Sequence, residues 1–351
     1  MTPETALRPQ AAGTYGGDDT SKQPLWRGLV RWELALVFAV IGVLILGAAH
    51  SSNFLSGSNF FFIGVNEGEV AIMALPLLLI IMTAEIDLSV ASMLGLSGTV
   101  MGSLFHDGWP IWLAMAAALA VGAAGGALNG VLIARLGLPS IAVTIGTLTL
   151  FRGLAEIILA PRIITGFPTS LTDIGVKPIP GTELSTSAAI FFGLAIICGI
   201  VLHATPLGRS IFAIGLQPEA AQFSGIRVNR IKFGLFVLSG VVCAFAGILF
   251  ALKNSSVSYD AGSGLELNVV ALVLFGGVSI FGGRGTLVGV VLSAMVFGCL
   301  LQALTQMGVQ AEVQNIITGV LLLVSVVIPN GGELLRRIRA RTRLRSARPG
   351  V

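Results

Sequence analysis

The chain has 351 residues, of which 54% are hydrophobic and only 11% charged, and its mean hydropathy is +0.91. Soluble domains carry roughly a quarter charged residues, so this composition excludes an ordinary soluble fold and predicts a membrane protein. The formal net charge of +4 invites a nucleic-acid reading, but the basic residues flank apolar runs, where they face lipid headgroups and set orientation. No nucleic acid is expected as a partner.

Residues 1–33 read as a disordered cytoplasmic tail, poor in bulky apolar residues, ending in an interfacial anchor of Trp26, Arg27, Arg31 and Trp32. No signal peptide is read at the start. The first span is predicted over Leu34–Ala49, and a polar exit follows. The next runs from Val65 to Ala84, with Glu67 and Glu69 expected at the far interface and Pro76 expected to kink or break the helix. A third span, Leu88–Phe105, follows Glu85 and Asp87 almost without a turn. Carboxylates at that level must be solvated, paired or placed at a helix start, and Asp87 or Ser89 offers a cap.

The Ala- and Gly-rich run Ile111–Ala134 holds Gly126 and Gly130, a pair suited to close helix packing. In the span Ser140–Ala160, Arg152 and Glu156 lie four apart on one face and are expected to pair. Such a pair suits a structural bridge or a place in a substrate path. Residues 161–186 read as the longest outer loop, and Ala188–His203 as a returning span.

Residues 205–232 then form a charged island, TPLGRSIFAIGLQPEAAQFSGIRVNRIK, between apolar runs. As the most elaborate polar element of the chain, it is the natural grip for another protein. Spans follow over Phe233–Leu252, over Leu265–Phe281 with Glu266 and Asn268 at its outer end, over Thr286–Met307 and over Gln314–Ile328. A Gly282–Gly285 turn separates the second of these from the third. Residues 330–351 form a basic cytoplasmic tail. The predicted fold is all-α: a polytopic bundle of about ten spans over 34–329, both termini cytoplasmic, with most basic residues on the inner side.

No metal cluster, nucleophile constellation or phosphate-binding loop is legible, so no cofactor and no ATP hydrolysis are expected on this chain, which is not read as an enzyme. The chemistry on offer is positional. Asn129, Thr144, Thr147 and Thr149 have hydrogen-bonding groups for a hydroxylated solute, and the same groups serve equally as packing glue between helices. The path and gating candidates are Glu85, Asp87, Ser89, Asn129, Thr144, Thr147, Arg152, Glu156, Glu266 and Asn268. The scarcity of mid-span carboxylates counts against an ion-coupled carrier or channel. A structural membrane subunit is the remaining alternative.

Three stretches, IMTAEIDLSVAS (81–92), GRSIFAIGLQPEAAQFSGIRVNRIK (208–232) and GLELNVVALVLFGGVSIFGGRGTLVG (264–289), resemble the signatures of bacterial ABC-type sugar permeases of the ribose, rhamnose and autoinducer-2 class. The resemblance implies the membrane-spanning subunit of an importer in the bacterial inner membrane. It also implies a second permease subunit, identical or similar, a cytoplasmic ATPase dimer carrying ATP and magnesium, and a periplasmic sugar-binding protein. Pro218, Glu219, Ala220, Ala221 and Gly225 match the family's ATPase-coupling motif, with Ala220 and Ala221 expected to admit a partner surface. The wording around Leu148–Leu154 is similar to that of rhamnose-type permeases. Glu85 stands where the family usually has glycine, which leaves its role open.

Overall fold

The structure, a computed structural model, describes residues 25–325 and 327, with side chains from residue 32 onward. The two predicted tails, and the side chains of Trp26, Arg27 and Arg31, lie outside the described residues. Apolar runs of this length leave the backbone no partner but itself in lipid, so the described chain is predominantly helical. Its helices are α1 (Leu25–His50), α2 (Gly57–Met82), α3 (Val90–His106), α4 (Ile111–Gly130), α5 (Ser140–Leu159), α6 (Thr169–Val176) and α7 (Thr186–Ala204). They continue as α8 (Pro206–Leu216), α9 (Pro218–Phe223), α10 (Val228–Lys253), α11 (Leu265–Phe275) and α12 (Leu287–Gln306). A last helix, α13, covers Ala311–Ser325. Seven of these helices are long and apolar enough to cross a membrane, while α3, α11 and α13 are shorter apolar helices.

Helices α2 and α10 form the buried centre. Helix α4 lies closely along α10, because a side chain at Gly122, Gly126 or Gly130 would strike Gly240, Phe236 or Phe233 there. This is the close approach expected of Gly126 and Gly130. The start of α1 sits at the same end of the bundle as α8 and the end of α11: Trp32 Nε1 donates to the Phe275 carbonyl at 3.0 Å. Trp32 is therefore tied to a neighbouring helix rather than serving only as an anchor in the headgroups.

Two breaks depart from the expected pattern. Helix α2 runs unbroken through Pro76 and ends at Thr83, so the break lies over residues 83–89 instead of at the proline. The expected span Leu265–Phe281 stops at Phe275, since Gly277 adopts a left-handed φ of 84°. The chain then passes through an irregular loop to Thr286, whose hydroxyl caps α12 by accepting from the Gly289 amide at 3.1 Å. A glycine beyond the last helical residue takes this conformation without steric cost.

At the opposite end, residues 161–186 are more than a loop. They carry a two-residue strand, Ile164–Thr165, paired antiparallel with Ser256–Val257, and the helix α6. Ile164, Phe167 and Leu171 join Met101, Ile248 and Leu252 in a small apolar cluster.

Glu69, expected at the far interface, is enclosed by protein. It is 1% exposed and its Oε2 accepts from Lys253 Nζ at 2.7 Å, while Ser187 Oγ donates to its Oε1 at 3.0 Å. Lys253 Nζ also donates to the Val65 carbonyl at 2.8 Å, so this lysine staples α10 to α2. Removing one partner of a buried pair strands the other. Replacing Lys253 with methionine should therefore lower stability by about 3–5 kcal/mol, and replacing Lys253 and Glu69 together should restore most of it. Thermal denaturation in detergent measures both, and a double variant less stable than the single would refute the pairing.

Candidate functional site

The break between α2 and α3 is where hydrogen-bonding side chains converge. Thr83 and Ala84 close the helix by donating to the Ile80 and Ile81 carbonyls, and Ala84 takes a left-handed φ of 62° that turns the chain. That conformation is uncommon outside glycine. Past it, the Asp87 carboxylate gathers three donors: the Ser89 amide at 2.9 Å and the Ser89 hydroxyl at 2.6 Å on Oδ1, and the Ser239 hydroxyl of α10 at 3.0 Å on Oδ2. Asn129 Nδ2, from the end of α4, donates to the Ser89 oxygen at 2.9 Å. Asp87, Ser89, Asn129 and Ser239 are all buried, and the Asn129 carbonyl oxygen has no partner among the described residues.

Helix α5 supports the same break from its first turn. The Ile86 amide donates to Ser140 Oγ at 3.1 Å. Thr144 donates to the Ser140 carbonyl at 2.8 Å and lies 3.4 Å from the Ile86 carbonyl. Thr147, one turn further, is buried with its hydroxyl on the Thr144 carbonyl at 3.4 Å. The predicted candidates Asp87, Ser89, Asn129 and Thr144 thus meet around one segment. Asp87 does so as an acceptor inside the turn, while the cap residue Ser89 makes no side-chain cap bond to α3. Glu85 pairs with Lys232 at 2.5 Å, both side chains mostly buried.

The remaining candidates sit at the other end. Arg152 does not pair with Glu156. Its Nη1 donates to the Ala261 carbonyl at 2.6 Å, and Glu266 and Asp260 are the carboxylates that act on its charge. Glu156 points away and is exposed. The i, i+4 spacing allowed their contact, but Arg152 faces α3 and the loop after α10 instead, against Gly95. One nitrogen of Arg152 and one oxygen of Glu266 are buried without a partner among the described residues. Asn268 is half-buried near the start of α11. A polar cavity at that end, between α2 and α12, is lined by Asn66, Glu67, Gln302, Thr305 and Gln314.

The charged island folds as a compact knuckle. Thr205 caps α8, accepting from the Gly208 amide at 3.4 Å, with Pro206 in the first turn. Proline suits that position because its missing N–H would have no helical partner there. After Gln217, Pro218 opens the six-residue α9, with Glu219 in the first turn, and Gly225 leaves it at φ 83°. Pro218, Glu219 and Ala220 are exposed. The sequence reading has Ala221 open to a partner surface together with Ala220, but Ala221 is buried against Ile214 and Val228. Neighbouring residues in a helix point about 100° apart, so one face of so short an element must hold it to its own chain. In compensation Phe223 stands 93% exposed at its end.

The knuckle touches the membrane breaks directly. A side chain at Gly215 would strike the Met82 carbonyl and Gly283, and one at Gly282 would strike Ala84. The Gly283 amide donates to the Met82 carbonyl at 2.9 Å. The end of α8, the end of α2 and the 276–286 loop are thus packed backbone to backbone. Ser239, Ser140 and Phe223 were not singled out in the sequence, and Lys232 stood out only as one of the charges of the island. Ser239 left the clearest trace, as a hydroxyl in an otherwise apolar stretch of α10.

A profile of the branched-chain amino acid transport system permease component matches residues 59–326. The chain is 34% identical over 301 residues to the ribose import permease protein RbsC of Escherichia coli K12, covering 85% of this chain and 94% of the relative. It is 33% identical over 309 residues to the autoinducer 2 import system permease protein LsrD of Photorhabdus laumondii, covering 84% and 90%. No solved structure matches the chain.

Replacing Asp87 with alanine should leave the Ser89 amide and the Ser89 and Ser239 hydroxyls without their acceptor, at about 1–3 kcal/mol for each buried group left unpaired. Asparagine keeps one acceptor oxygen and puts an NH2 donor in place of the other, and should fall between. Thermal denaturation in detergent ranks the three proteins, and equal stability of alanine and aspartate would refute the network.

Proposed function

This chain belongs to the branched-chain transport-system permease family, and on that premise we propose that it is the membrane-spanning subunit of an ATP-driven sugar importer. As a family member it is a permease, a transport component and not an enzyme. In this reading it works in the bacterial inner membrane beside a second permease, identical or similar, and a periplasmic sugar-binding protein delivers the solute. ATP and magnesium belong to a cytoplasmic ATPase dimer.

The observation that carries the proposal is the knuckle: the exposed six-residue α9 is buried on its back against α8 and α10, and the end of α8 packs on the two helix breaks. An ATPase that grips Glu219, Ala220 and Phe223 would push on Met82–Ala84 and on the 276–286 loop together. Helix α5 supports the location of the path. It presents Ala142, Gly146, Thr149 and Glu156 on its exposed face, with open space at Gly146 and Gly153. Hydroxyl and carboxylate groups on a membrane helix are costly against lipid and suit a water-filled path or a second copy. The start of this helix is held to the break through Ser140 and Thr144, so a movement of the break reaches the path.

The relatives named for ribose and for autoinducer 2 favour a small, neutral, hydroxylated solute. A monosaccharide of the ribose or rhamnose kind is the proposed cargo, selected mainly by the binding protein.

An aromatic side chain this exposed is suited to act as an interface anchor. Phe223→Ala should weaken capture of the ATPase by about 30-fold, and Glu219→Lys should abolish ATP-dependent uptake while the permease stays folded in the membrane. Co-purification from native membranes in mild detergent reads the first, and uptake of labelled ribose and rhamnose by cells reads the second. A lone oligomer that moves solute in liposomes without ATP would overturn the importer reading in favour of a secondary carrier.

A further inference from the structure

One small apolar cluster holds the knuckle together. Ile214 of α8, Ala221 of α9 and Val228 of α10 are buried against one another, and Val228 begins α10 only three residues after Gly225. A displacement of α9 therefore carries the end of α8 and the start of α10 with it. Each of these flanks touches the break after α2. On one side, the side-chain-free Gly215 lies against the Met82 carbonyl and Gly283. On the other, Lys232, in the second turn of α10, donates to Glu85 at 2.5 Å, with the two side chains 13% and 16% exposed.

Glu85 follows the left-handed Ala84 and precedes Ile86, whose amide and carbonyl meet Ser140 and Thr144 of α5. Asp87, two residues on, holds Ser89 and α10. The contact at Gly215 is steric and can only push. The ion pair can also pull, since separating two largely buried charges costs free energy in either direction of travel.

We propose that the Lys232–Glu85 ion pair is the return linkage of this transporter: it makes the break follow the knuckle when the ATPase withdraws as well as when it closes. Glu85 and Lys232 are positioning residues, touching neither cargo nor nucleotide. The inference rests on the importer reading above and adds the residue pair through which it acts.

The test uses the complete complex in lipid nanodiscs, with a cysteine in place of Thr149 on the exposed face of α5. The three native cysteines, Cys198, Cys243 and Cys299, are buried and contribute little labelling. A water-soluble maleimide reports the accessibility of position 149 without ATP, with ATP and vanadate, and after washout. In the parent protein accessibility changes with ATP and returns on washout.

Glu85→Gln and Lys232→Gln should each slow the return by about 5- to 150-fold, the usual range of coupling between distant sites, while the ATPase still co-purifies. The charge swap, Glu85→Lys with Lys232→Glu, should restore it. A merely structural role would alter the amount of folded complex rather than the return rate. Unchanged return in both single variants, or a swap that assembles without restoring return, would overturn the proposal. If a single variant does not assemble, the double glutamine variant decides: normal return refutes the linkage and slow return supports it. A parent complex that shows no response to ATP would instead overturn the importer reading, and this inference with it.

Discussion

A helix that breaks inside an apolar bundle must have its freed backbone groups satisfied by protein, because lipid supplies no hydrogen bonds. The segment from Thr83 to Ser89 lives under that constraint. Its amides and carbonyls find Ile80, Ile81, Ser140 and Thr144, the Gly283 amide takes the Met82 carbonyl just before it, and a single buried carboxylate, Asp87, organises the turn that follows. The partners come from α4, α5, α10 and the loop before α12. The break therefore dictates how those elements assemble, and none of them can shift without disturbing it.

The same arrangement explains how a polar knuckle outside the apolar core can communicate with that core. Close backbone packing at Gly215, Gly282 and Gly283 leaves no compliant side chains between α8 and the end of α2. Packed interfaces of this kind have few alternative arrangements, so a push is transmitted as a displacement rather than absorbed. The staple of Lys253 on Glu69 and Val65 and the strand pair beside α6 fix the opposite end.

Much of the bundle was legible in the sequence because lipid demands long apolar runs, and the limits of α5, α7 and α10 fall within a few residues of those runs. The errors are instructive. Pro76 has the chemistry of a helix breaker, yet α2 passes through it, since buried membrane helices tolerate proline where neighbours enclose it. The span after Leu265 looked continuous because Gly276 and Gly277 are unremarkable in an apolar run; only the left-handed φ of Gly277 ends the helix. Arg152 and Glu156 had the spacing of a pair but not a shared neighbourhood. The turn signals that bound α9, Pro218 and Gly225, were readable in the sequence, whereas the burial of Ala221 and the exposure of Phe223 follow from which face of α9 packs on α8.

By itself the sequence determined that this is a polytopic helical membrane protein with one polar island, and which residues form that island. Both follow from local chemistry: hydropathy sets where helices run, and proline, glycine and charge set where they stop. Only the tertiary structure decided that Asp87 meets Ser239, that Lys232 meets Glu85 and Lys253 meets Glu69, and that Gly215 rests on Met82. Those contacts join residues more than a hundred positions apart. Their partners depend on the rotation and depth of whole helices, which no local pattern of residues encodes.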